Sequence, residues 1–86
     1  MSPETFRNRL EDGRCNNYLY KMIGREGLVS VWKHQGSYVL TWEECPNGQQ
    51  SDEASYTRDE RHLLASLDEV IRFLTENRLT PAVFRP

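Results

Sequence analysis

Two cysteines and two histidines are the side chains in this 86-residue sequence that could form a thiol–imidazole dyad or a zinc site. Cys15 and His34 both fall at one end of the sheet derived below, and a Cys–His pair there would be the seat of a small enzyme. The plainer reading is a small buried thiol beside a histidine in a surface turn. His62 stands among charges ahead of the last helix and is expected to face solvent. No C-x-x-C or H-x-x-x-H spacing is present, so no structural zinc site and no metal ligand is assigned. Acidic doublets recur in the second half at Glu43-Glu44, Asp52-Glu53, Asp59-Glu60 and Asp68-Glu69. Adjacent residues in a strand or helix point apart, so no doublet makes an acid–base pair. Phosphate-binding loop, dinucleotide fingerprint, nucleophile elbow and calcium loop are all missing. We assign no catalytic residue and no cofactor.

Any function must therefore come from a surface, and the elements decide which surface exists. Ser2, Pro3 and Glu4 begin a helix and Gly13 can end one, so residues 3–12 are expected to be helical with Phe6 and Leu10 on one face. Three strand-like runs follow, Asn17–Ile23, Leu28–Lys33 and Tyr38–Glu44, rich in Tyr, Val, Trp and Thr. Glycine-containing segments 24–27 and 34–37 join them as hairpin loops. Residues 45–53 read as an exposed loop, and Ala54–Arg61 as a charged fourth strand at the sheet edge. Ser66 and Glu69 form a capping box for a final helix running to about Arg78. Leu67, Val70, Ile71 and Leu74 make its apolar stripe, while Phe73 falls off that stripe and is expected to pack under the tail 81–84. The expected fold class is α+β, an antiparallel meander of three to four strands with a short N-terminal helix and a C-terminal amphipathic helix packed on one sheet face. One domain, residues 1–86, holds it all.

Pairing Ile23 with Leu28 and Lys33 with Tyr38 puts Tyr18, Tyr20, Met22, Val29, Val31, Leu40 and Trp42 on one face. The other face gathers Leu19, Trp32 and Val39 in a row, with Lys21, Ser30 and Thr41, then Ile23, Leu28 and Glu43, beside it. That second face is either covered by Phe6 and Leu10 or left open as a partner surface. The same meander sets Cys15 and Cys45 about 20 Å apart at roughly 3.3 Å per residue. A disulfide needs Cα atoms within roughly 7 Å, so both thiols are expected to be free, as in a reducing compartment.

Charge narrows the partner. Residues 1–42 carry six Lys/Arg and four Asp/Glu, whereas residues 43–86 carry five and nine. Because Arg58, Arg61 and Arg72 interrupt it, the acidic second half reads first as a solvated loop and a charged helix start; the sharper reading is an acidic surface that answers a basic partner. No apolar run approaches bilayer length and no signal sequence opens the chain, so a soluble cytoplasmic protein without a membrane partner is expected. The leading expectation is a non-catalytic protein-binding module, such as a small regulator, inhibitor or immunity-type protein. Leu19, Trp32 and Val39 would form its apolar centre and Lys21, Thr41 and Glu43 its rim. The acidic loop 43–53 would steer a partner with a basic surface, and a homodimer seam is the other use of the face.

Two alternatives belong to other classes. The order helix–strand–strand–strand–helix is that of a double-stranded-RNA-binding domain, which would use Arg7, Arg9, Arg14, Lys21, Arg25 and Lys33. Such domains grip phosphate near the start of the second helix, where this sequence reads Ser66-Leu67-Asp68-Glu69. The third class is a small enzyme or enzyme subunit built around Cys15.

Overall fold

Both helices begin where the sequence supplies a cap. In the computed structural model, which describes residues 1–86, helix α1 (Pro3–Glu11) starts at Ser2, whose Oγ accepts from the Thr5 amide at 3.1 Å. Helix α2 (Leu67–Glu76) starts at Ser66, whose Oγ accepts from the Glu69 amide at 3.2 Å. The Glu69 carboxylate reaches back to the Ala65 amide at 2.6 Å, one residue before the usual capping-box partner. Between the helices lie strands β1 (Asn16–Met22), β2 (Arg25–His34), β3 (Ser37–Cys45) and β4 (Arg58–Leu64). They form one antiparallel sheet in the order β1-β2-β3-β4. The α+β class is as expected.

The β2–β3 hairpin has the expected register, with Lys33 opposite Tyr38, Val31 opposite Leu40 and Val29 opposite Trp42. Its loop is tighter, only Gln35 and Gly36, because both adopt the left-handed backbone a two-residue hairpin turn requires (φ 51° and 81°). The β1–β2 hairpin corrects the expectation. The chain turns at Ile23-Gly24, with Gly24 at φ 85°, so Met22 faces Arg25 and Tyr20 faces Gly27 instead of Val31. The tighter turn lets β2 start at Arg25 and gain ladder pairs. The shift is by four residues, an even number, so no side chain changes face while every cross-strand row between β1 and β2 moves.

The fourth strand is also displaced, to Arg58–Leu64 from the expected Ala54–Arg61. Tyr56 and Thr57 favour strands, but local bonds hold them in the loop. Tyr56 Oη donates to the Gln50 carbonyl at 2.7 Å, and Asp52 caps a short 3-10 turn at Glu53–Ser55.

One face of the sheet, hereafter the inner face, meets both helices. Phe6 and Leu10 of α1, Val70 and Leu74 of α2, and Phe84 of the tail join Tyr20, Val29, Val31, Tyr38, Leu40 and Trp42 in a single core. Four strands at about 4.8 Å spacing make a sheet about 19 Å across, which two helices of about 10 Å diameter cover side by side. Each large side chain so buried contributes roughly 1.5–3 kcal/mol. Polar ties fix α1 on the sheet. The buried Asn16 amide donates to the Phe6 carbonyl at 3.0 Å while its Oδ1 accepts from Arg9 Nε at 2.8 Å. Glu11 accepts from Tyr38 Oη and from Lys33 Nζ at the hairpin end of the sheet.

Two side chains depart from expectation here. Phe73 does not lie under the tail; its ring packs 4.6 Å from His62 and 6.5 Å from Trp42. His62 is accordingly half-buried rather than solvent-facing, and its Nε2 lies 2.9 Å from Glu60 Oε1. The cause is the shifted β4, which turns His62 inward beneath α2. The tail instead inserts Phe84 against Phe6 and Tyr18, and Arg85 exchanges two backbone hydrogen bonds with Asn17 at the β1 edge.

Past the helices, Tyr20 Oη accepts from Trp42 Nε1 at 3.0 Å and donates to Glu44 at 2.6 Å. Burial first, then the bond to Glu44, pushes this hydroxyl up to about 12. Folding raises this pKa, so the neutral hydroxyl contributes stability below the ordinary tyrosine value near 10, and that contribution is lost as pH rises toward 12. An ultraviolet tyrosinate titration should show a latest-titrating residue that disappears in Tyr20→Phe, with Tyr38 and Tyr56, also raised, titrating before it. Titration of all four tyrosines together near 10 would contradict the buried network.

Candidate functional site

The alternate residues of every strand point to the opposite, outer face, and neither helix reaches it. Leu19 there is 79% exposed and Leu63 73% exposed. The six residues expected to form a contact surface, Leu19, Lys21, Trp32, Val39, Thr41 and Glu43, all share this face. The β1–β2 register breaks the expected row, however. Leu19 stands opposite Leu28, four residues and about 13 Å along β2 from Trp32. Trp32 lines up instead with Val39 and Leu63. Two apolar patches result, Leu19–Leu28 toward the β1 edge and Trp32–Val39–Leu63 toward the β4 edge.

Exposure sorts the six further. Leu19, Lys21 and Glu43 are exposed, Trp32 and Thr41 are half-buried, and Val39 is buried and serves as floor. Lys21 faces Glu26, and Thr41 lies between Ser30 and Arg61. Leu63, Asp59 and Arg61 belong to the same surface but were not among the expected residues. The expected strand Ala54–Arg61 contained Asp59 and Arg61 but stopped short of Leu63; the alternation through Arg58–Leu64 was the available signal.

Electrostatics give this face a direction. Glu43 stands directly opposite Asp59 across β3 and β4, and neither carboxylate has a basic group within 4.0 Å. Like charges placed directly opposite one another in a sheet are destabilising. The Tyr56 hydroxyl is raised, by burial first and then by the neighbouring charge of Glu43. Beside these carboxylates, Leu19, Leu28 and Tyr56 line a depression of about 170 Å³. Its apolar floor and acidic rim suit a long cationic side chain, whose stem lies on carbon while its head meets a carboxylate.

No known relative supplies a reading of this surface. Compared with protein-family models, curated proteins and solved structures, the chain matches none of them.

The other constellations resolve simply. Cys15 and Cys45 are both free. Cys15 Sγ lies 3.4 Å from Asn17 Oδ1, and His34 is exposed at the hairpin turn and makes no bond to it. Burial pushes the Cys15 thiol up, the reverse of what a nucleophile needs. Cys45 is raised as well, by burial first and then by the charge of Glu26. No cluster of three or more His, Cys, Asp or Glu side chains is placed to hold a metal ion, and no helix is long and apolar enough to cross a membrane. Of the six cations considered for nucleic acid, Arg9 is bonded to Asn16 and the Cys15 carbonyl, Lys33 to Glu11, and Arg25 stands 3.6 Å from Glu44. The six do not form one phosphate-facing surface.

Proposed function

We propose that this protein is a non-catalytic binding module that docks another protein on its outer sheet face, and that the partner presents basic side chains there. One observation carries the reading: both helices cover the inner face, leaving Leu19 and Leu63 exposed on the outer one, with Leu28 half-buried beside Leu19. Exposed aliphatic groups flanking a half-buried tryptophan supply the anchors of an interface, and the polar residues around them a rim. The opposed Glu43 and Asp59 give the charge preference, because a cation between them relieves a repulsion the free chain must tolerate. Free, unreactive thiols fit a reducing, cytoplasmic setting. Regulation or inhibition of the partner is the activity such a module would exert.

The test uses a partner recovered from the native host together with two kinds of variant. Leu19→Ala with Leu63→Ala should weaken binding at least about 30-fold, with melting nearly unchanged because both side chains are exposed. Asp59→Lys should stabilise the free chain by about 0.2–1 kcal/mol, by placing opposite charges across the ladder. The same change should slow association with the partner and remove its salt dependence. Binding that survives the leucine truncations, or that Asp59→Lys speeds, would reject the proposal. A concentration-dependent dimer abolished by the leucine truncations would instead assign the face to a second copy of the chain.

A further inference from the structure

The inner face is longer than the helices that cover it. Beyond Trp42 its next row reads Tyr20, Gly27, Glu44 and Arg58, and after that only Met22 and Arg25. Helix α2 ends at Glu76, and the turn that follows stands as a wall over these rows. The result is a cleft of about 430 Å³, within the size range of small-molecule sites. Tyr20 lies over the bare Gly27 backbone at its base beside Trp42, both of them buried, and the open apolar surface comes from the thioether of Met22 with the half-buried Tyr18 and Leu79. Its rim holds three arginines, Arg25, Arg58 and Arg78.

Two of these cations are already compensated. Arg58 bonds Glu60 at 2.6 Å and 3.3 Å while its guanidinium stacks 3.5 Å over the Trp42 ring. Arg25 lies 3.6 Å from Glu44, whose carboxylate also accepts from Tyr20 and Thr57. Arg78 has no carboxylate within 4.0 Å. A second, independent observation concerns the same residue. Arg78 holds a left-handed backbone (φ 59°), at the position after a helix where glycine or asparagine is favoured. A long cationic side chain at a strained position over an aromatic cleft is the kind of local departure that marks function.

We infer that this cleft binds a small organic anion, a single carboxylate or similar group on a flat apolar body, with the body on Met22, Tyr18 and Leu79 next to the edges of Tyr20 and Trp42 and the charge at Arg78. The arginine fork donates to the anion, and Arg25 adds to the field. This site faces away from the proposed docking surface and does not depend on it.

Nuclear magnetic resonance separates the faces, because one indole lies on each. Titration with 2-naphthoate should move the Trp42 indole N–H and the amides of Met22 and Leu79 saturably, leaving the Trp32 indole in place. Neutral 2-naphthamide and inorganic phosphate should each bind at least about tenfold more weakly, since each lacks one half of the contact. Arg78→Gly is the informative variant. Glycine suits the left-handed position, so the melting temperature should hold or rise while 2-naphthoate affinity falls at least about tenfold. Undiminished binding in Arg78→Gly, equal binding of the amide or of phosphate, or a shift centred on Trp32 would overturn the assignment. Absence of any saturable shift would do so too.

Discussion

Replacing Gly27 by alanine is expected to lower the melting temperature by roughly 12–24 °C, corresponding to about 3 kcal/mol in a domain of this size. A Cβ at that position would lie 2.3 Å from Tyr20 Oη, 2.4 Å from its Cζ and 2.7 Å from the Glu43 carbonyl oxygen. A flexible side-chain tip can retreat from such a contact. A carbonyl fixed in the β2–β3 ladder cannot, so β2 must move away from β3 or Tyr20 must leave its place. If the ring leaves, Trp42 Nε1 loses its partner and Glu44 one of its hydrogen bonds, and the cost of the unsatisfied indole N–H adds to the strain. Gly27→Ala should therefore cost less in a Tyr20→Ala background, though still something, because the Glu43 carbonyl remains. Thermal or denaturant unfolding of the four species measures the coupling. Gly27→Ala melting within a few degrees of the parent would contradict the packing of Tyr20 on the glycine.

The second large effect belongs to Phe84. This ring is 1% exposed and lies 5.2 Å from Phe6 and 6.0 Å from Tyr18, so the last residues of the chain complete the core. Truncation to alanine leaves a cavity that neighbouring rings cannot close, and the expected loss is about 3–5 kcal/mol. A domain of this size is stabilised by about 4–13 kcal/mol in all, so Phe84→Ala should be unfolded or nearly so at moderate temperature. Phe84→Leu keeps much of the volume and should lose less than half as much. Circular dichroism melts of both variants decide the matter. Equal, small losses would mean that the tail rests on the surface.

What the sequence showed and withheld has a consistent physical basis. The β2–β3 register was legible because Val29, Val31, Leu40 and Trp42 alternate with polar residues on both sides of Gln35-Gly36. The β1–β2 register was not, since Gly24 and Gly27 both offer turn positions and only the second serves to seat a tyrosine ring. Because the true shift is even, the division into faces survived and the rows did not; the outer residues were placed on the correct face with the wrong neighbours. Both helix starts were readable from their serine caps. An amphipathic stripe reports that a helix is buried, not on which side of a sheet. The positions of Phe6 and Leu10 could be settled only by the sheet width that two helices must share. The cleft over Gly27 was invisible for a related reason: Arg25, Arg58 and Arg78 lie far apart in sequence and meet only once that register is set.

On the proposed function, the outer sheet face shows Leu19 and Leu63 to solvent in the isolated chain and buries them against a partner. Hydroxyl-radical footprinting of the purified protein and of the protein captured from host lysate compares those two states on named side chains. Leu19, Leu63 and Trp32 should be modified in the purified chain and protected in the captured one, while Ile23, fully exposed at the β1–β2 turn, should react in both. Equal modification of Leu19 and Leu63 in the two samples would contradict the assignment of that face to a partner.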